Sequence, residues 1–156
     1  AAHAAVRGRR ATIDELERRA LTKQKLGLHD SVDEGVLHRG LQQAGYEPLV
    51  QAAVGPYNID LAVHPVAVEV FGGKWHSYGR HVERWPNRRD YLFDRGWNLV
   101  IVWVADRYPL QSGGVEKVIS YLELARGNPS LRRQQWMVRG NGDPHTAPGF
   151  EMHDRS

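Results

Sequence analysis

The stretch Trp97-Asn98-Leu99-Val100-Ile101-Val102-Trp103-Val104 is a nearly uninterrupted apolar run with three β-branched residues in a row. It is far shorter than the roughly 18 apolar residues of a membrane span. A strand of this kind is stable where both of its faces are covered. It therefore belongs in the middle of a sheet, with other elements packed on each side.

The rest of the chain supplies those elements. Thr12, with Glu15 three residues on, reads as a capping box, and Ile13, Leu16, Ala20 and Leu21 recur at helical spacing. This predicts a helix to about Leu26, closed by Gly27. Ser31 with Glu34 repeats the signal, and Val36, Leu37, Leu41 and Ala44 form one face of a second helix, roughly 32–44, ended by Gly45. The period then changes to two. Leu49 to Val54, Tyr57 to Val63 and Val66 to Phe71 are separated by Gly55-Pro56 and His64-Pro65, as in a strand meander with tight turns. A helix from about Glu83 to Arg95 stops at Gly96, just before the apolar run. Gly113-Gly114 leads into a helix from Val115 to Arg126, and Gln134 to Arg139 reads as an edge strand. The predicted fold is α/β: an antiparallel meander joined by a helix crossover to a buried strand, in a mixed sheet flanked by helices.

At 156 residues the chain is sized for one domain. We read 1–11 as a flexible basic arm, 12–139 as the domain and 140–156 as a tail rich in Gly, Pro and His. Ala at position 1 suggests a processed product or an excised domain. The absence of Cys removes disulfides, thiolate metal sites and cysteine nucleophiles, so His, Asp and Glu are the remaining metal ligands. Lys and Arg total 21 against 18 Asp and Glu, a net +3 that permits nucleic-acid binding without requiring it.

Two acids are out of place. Asp60 interrupts Tyr57 to Val63, and Glu69 interrupts Val66 to Phe71. Carboxylates are disfavoured inside strands and are seldom buried without a partner. Adjacent strands lie about 4.8 Å apart, so both acids can reach one divalent ion if they share a face, and Glu34 on the preceding helix can point at the same spot. A set of few carboxylates suits Mg²⁺. Ordinary hydrogen bonds or ion pairs with a nearby Arg are the other account of the same residues. Gly72-Gly73 then allows a sharp turn ahead of Lys74, Trp75 and His76, and His76 is suited to move a proton near neutral pH.

Three strings carry a resemblance: Val54-Gly55-Pro56-Tyr57-Asn58-Ile59-Asp60, then Val66-Ala67-Val68-Glu69-Val70-Phe71-Gly72-Gly73-Lys74-Trp75-His76, then Asp94-Arg95-Gly96-Trp97-Asn98-Leu99-Val100-Ile101-Val102-Trp103. Together they resemble the very-short-patch-repair (Vsr-like) endonucleases of the PD-(D/E)XK superfamily, including the Vsr-like homing-endonuclease domains. The likeness covers roughly residues 31–104. It implies a restriction-endonuclease-like core and a DNA endonuclease that hydrolyses phosphodiester bonds with Mg²⁺ or Mn²⁺. By motif position Asp60 and Glu69 would be metal ligands, together with the Val70 carbonyl. His76 would act at the scissile phosphate, and Glu34 would be the helix acid. The implied setting is the cytoplasm of a bacterial or phage-infected cell.

Two positions depart from the pattern. Ile59 replaces the usual Pro and Phe71 the usual Lys, leaving Lys74 or His76 to substitute. Asp90 and Glu83 are both in range of a final signature acid. Without Cys, the structural zinc site of the mismatch-repair enzymes cannot be built here, and their mismatch specificity does not carry over.

The implied partner is double-stranded DNA. Candidate contacts are Arg80, His81, Arg84, Arg88 and Arg89, the basic residues Arg7, Arg9 and Arg10, and Trp75 for stacking. The arginines after His76 read equally well as a solvated helix face paired with Glu83, Asp90 and Asp94. A homodimer and a monomer are equally compatible with the sequence, as is an upstream recognition domain. The competing readings are a degenerate nuclease-fold module that binds DNA without cutting it, and an enzyme acting on RNA or a protein.

Overall fold

The computed structural model describes residues 8–72 and 79–152, with the side chains of 79–81 left out. It is a mixed α/β arrangement in which a five-stranded sheet is flanked by four helices. The elements run α1 (Ile13–Leu26), α2 (Val32–Gln43), β1 (Leu49–Val54), β2 (Tyr57–Val63), β3 (Val66–Gly72), α3 (Gly79–Asp94), β4 (Asn98–Val104), α4 (Ser112–Gly127) and β5 (Gln135–Arg139).

Strand order in the sheet follows chain order. β1, β2 and β3 form the antiparallel meander, while β4 pairs parallel to β3 and β5 parallel to β4. The apolar run is an interior strand, fourth of five, paired on both sides although the middle strand is β3. Val100, Val102 and Val104 face one layer with Leu37 and Leu41 of α2 and Val118, Leu122 and Ala125 of α4. Leu99 and Ile101 face the other, with Trp85, Leu92 and Phe93 of α3. Asn98 is fully buried at the start of β4 but satisfied: its amide donates to the carbonyls of Pro65 and Leu131 and accepts from Gln134 N–H.

The helix signals hold locally. Thr12 and Glu15 complete the capping box of α1, and Gly27 closes it at φ 61 with its N–H on the Lys23 carbonyl. The α1 face differs from the predicted one. Ala20 alone is buried, while Ile13 and Leu21 are more than half exposed. α1 packs on β1 through a small residue and polar tethers: Gln24 Oε1 accepts from Ala53 N–H, and Asn58 donates to the Ala20 carbonyl. α3 begins before Glu83, at Gly79, and carries Pro86 inside it. α4 begins at Ser112 and takes both glycines into its first turn. A Cβ on Gly114 would fall 2.0 Å from the Gly140 carbonyl oxygen, so backbone approaches backbone here.

The stretch after Arg139 turns back on the sheet. His145 N–H donates to the Met137 carbonyl, and Phe150 is buried against Phe71, Trp85 and Trp103. No helix among the described residues is long and apolar enough to cross a membrane.

Candidate active site

The sheet opens along one row. Continuing the β1–β2 register sets Gln51 opposite Asp60, and continuing the β2–β3 register sets Asp60 opposite Glu69, yet neither pair belongs to the ladder. Gln51 has φ 52, a left-handed backbone that a non-glycine residue adopts at a cost of about 1 to 3 kcal/mol. Carboxylates take the place of the missing backbone acceptors. Val70 N–H donates to Asp60 Oδ2 at 2.9 Å, and Asp60 N–H points at Glu69 Oε2 at 3.5 Å.

From α2, Glu34 reaches the same row. It is only 3% exposed, and its Oε2 accepts from Asp30 N–H at 2.9 Å. The amide of Gln51, itself buried, lies between Glu34 Oε2 and Asp60 Oδ1 at 3.4 Å from each. One oxygen each from Asp30, Glu34 and Asp60 falls within 4.8 Å of the others. Glu69, 1% exposed, stands beside this trio rather than in it. Its Oε1 is bound by Arg88, whose same nitrogen also donates to the Asn58 carbonyl at 2.6 Å. The Arg88 guanidinium lies 5.4 Å from the centre of the Tyr57 ring.

The electrostatics follow from crowding. Burial raises Asp60 well above the ordinary carboxylate range, and the charges of Glu69 and Glu34 push it further; the Val70 N–H and Arg88 oppose this without cancelling it. Burial also raises Glu34, which the Asp30 N–H counters while the Asp30 and Glu69 charges reinforce it. Arg88 holds its proton more tightly than usual. Burial works against its charge, but the charge and hydrogen bond of Glu69 outweigh that. Four carboxylates thus meet two paired cations, Arg88 and the Lys23 that bridges to Asp30 at 2.8 Å. Among the described residues, the carboxylates outnumber the cations that pair with them.

These groups line a cleft of about 1230 Å³ that continues past the C-terminal ends of β3 and β4, by Gly72 and Val104, to Asp106. Such edges are where open α/β sheets bind ligands. Hard oxygen donors, three or four carboxylates and an open cleft fit Mg²⁺ or Mn²⁺, and no thiolate or imidazole competes within the trio.

The structure brings Glu34, Asp60, Glu69 and Val70 together. Val70 meets Asp60 through its N–H. Lys74, Trp75, His76 and Arg7 lie outside the described residues, as do the side chains of Arg80 and His81. Arg89 is 8% exposed, held by Asp90 and the Glu151 carbonyl, away from any outward basic face. Arg88 lines the cleft with one terminal nitrogen turned onto Glu69. Arg84 is exposed and lines the cleft. Arg9 is exposed but paired with Glu15, and Arg10 is exposed. Asp30 and Gln51 went unflagged. Gln51 carried a signal, a lone polar residue within Leu49 to Val54, the same signal that singled out Asp60. Asp30, in the loop before the helix cap, carried none.

Comparison with known proteins finds no matching family, no matching curated protein and no matching solved structure.

Proposed function

We propose that this chain is a divalent-metal-dependent DNA endonuclease that hydrolyses phosphodiester bonds. One observation carries the reading: three carboxylates converge within 4.8 Å in an open cleft, beside a fourth, and among the described residues they outnumber the cations paired with them. Such a deficit is what a bound Mg²⁺ or Mn²⁺ relieves, and raised carboxyls at a cleft are typical of a functional site. Asp30, Glu34 and Asp60 would hold the ion, with Glu69 alongside. Bound there, it would neutralise phosphate charge and supply an activated water.

The chain's own residues have separate tasks. The Val70 N–H and the Gln51 amide hold the Asp60 carboxylate in one orientation, so its oxygens do not have to reorganise when a cation or phosphate arrives. Arg88 fixes Glu69 and keeps a positive group next to the site, where Phe71 offers none. His76, on the segment that follows β3, moves the proton in this reading, and Lys74 is the second candidate for that task.

The test is supercoiled plasmid with the purified chain in Mg²⁺ or Mn²⁺ at low salt, with EDTA and Asp60→Asn as controls. Nicking or linearisation that both controls abolish is the expected result. Cutting by Asp60→Asn at the wild-type rate would remove the assignment.

A second reading has its own observation. Phe71 is 5% exposed within an aromatic cluster, and Arg88 already neutralises Glu69, as in a nuclease fold that binds DNA without cutting it. In that case Mn²⁺ would leave the melting temperature unchanged, whereas an intact metal site raises it.

A further inference from the structure

α3 presents Arg84, Trp85 and Arg88 on one side, since residues three and four apart are neighbours on a helix surface. All three line the cleft beside the carboxylates. Trp85 is only 3% exposed, packed on Phe71 and Phe150 at ring separations of 5.3 and 5.2 Å, so the ring neither intercalates nor stacks on a base. Its indole N–H is nevertheless buried with no acceptor among the described residues. A buried donor with no partner lowers stability, and a ring of similar shape without the nitrogen would avoid that loss. Arg88 is similarly incomplete. One terminal nitrogen serves both Glu69 and Asn58, while its Nε and other terminal nitrogen donate to none of the described residues. Arg84 adds an exposed guanidinium one turn away.

Unused N–H donors and two guanidiniums beside a cluster of carboxylates call for an anion rich in acceptor oxygens. We propose that this face of α3 is a phosphodiester subsite, which takes one backbone phosphate of duplex DNA next to the carboxylate site. The inference rests on the nuclease reading only for the identity of the anion. Arginine supplies charge and paired donors suited to phosphate, and the indole N–H adds a neutral donor that fixes the position of one oxygen. This subsite works without metal, because none of its donors is a metal ligand.

The test measures binding of a short labelled duplex by fluorescence anisotropy, in EDTA and at low salt, together with the melting temperature of each variant. Trp85→Phe deletes the N–H and also trims the two-ring indole to a single phenyl ring. We expect it to weaken binding about tenfold, the size of one hydrogen bond to a charged group, and to melt lower than wild type because the smaller ring leaves a cavity against Phe71 and Phe150. Arg84→Gln, at an exposed position, should weaken binding and reduce the salt slope by about one. Inorganic phosphate at millimolar concentration should compete with the duplex on the wild type, and less well on either variant. Wild-type affinity in Trp85→Phe overturns the subsite. If that variant is unfolded at the assay temperature, an unchanged salt slope in Arg84→Gln overturns it instead. Displacement of the duplex by single-stranded RNA at equal concentration overturns the assignment to DNA. Failure of the nuclease reading looks different: the wild-type chain would leave plasmid uncut in Mg²⁺ and Mn²⁺, with these binding losses unchanged.

Discussion

Asp60 shows what the site costs the fold. Its carboxyl is raised well above its ordinary value of 3.8 by burial and by Glu69 and Glu34. Between that ordinary value and the raised one, the folded chain binds more protons than the unfolded chain. Without divalent ions, the contribution of Asp60 to stability is therefore fully present below the ordinary carboxylate range and is lost as pH rises through the raised value. Glu34 acts in the same direction, whereas Glu15, held low by Arg9, acts in the opposite one. The difference between thermal melts of wild type and Asp60→Asn in EDTA should change across this range, and a difference independent of pH would contradict the crowding. Asp60→Asn keeps an oxygen for the Val70 N–H and removes the charge. It should melt higher than wild type in EDTA, by about 2 to 4 °C for each kcal/mol relieved, while losing cleavage and retaining DNA binding. That combination separates a functional carboxylate from a structural one.

Among the elements, the C-terminal return does more than fill space. Phe150 touches Phe71, Trp85 and Trp103, joining β3, α3 and β4 at the end of the sheet where the cleft opens. Phe150→Ala should cost about 3 to 5 kcal/mol by leaving a cavity there, measured by denaturant unfolding. Gly114→Ala should also be strongly destabilising, because its Cβ would meet backbone rather than a side chain that can move. The strands and most helix boundaries were legible because capping residues, turn dipeptides and the apolar run agreed with one another. The return was not, since a Gly- and Pro-rich segment bears no periodic pattern and a single Phe holds it. Glu34 shows a subtler limit. Its place three residues after Ser31 reads as a capping box, as Glu15 does after Thr12. In the fold, the Ser31 hydroxyl does cap Glu34 N–H, but the Glu34 carboxylate accepts from Asp30 N–H and approaches Gln51. Local spacing identified the cap, whereas burial against β1 decided where the carboxylate went. Arg88 was legible as a base near the site, but not as a partner of Glu69, because that contact joins residues far apart in the chain.

Across the whole molecule, charge is divided by depth. The net charge is +3, yet the cleft holds Asp30, Glu34, Asp60 and Glu69. Exposed bases such as Arg10, Arg18, Arg19 and Lys25 can attract a polyanion while the interior attracts cations. Saturating Mn²⁺, at about 100 times its dissociation constant, should add about 2.7 kcal/mol of stability, seen as a higher melting temperature that Asp60→Asn loses. The return of Phe150 has a practical corollary. Part of the cleft wall comes from a segment with no helix or strand to anchor it, so a protease would reach this wall before it reached the sheet. In a limited digest, the first clipped species should keep its circular dichroism yet lose the DNA binding proposed for the cleft. A purification tag fused close behind Phe150 would put the same wall under strain, whereas one placed ahead of α1 would leave it alone.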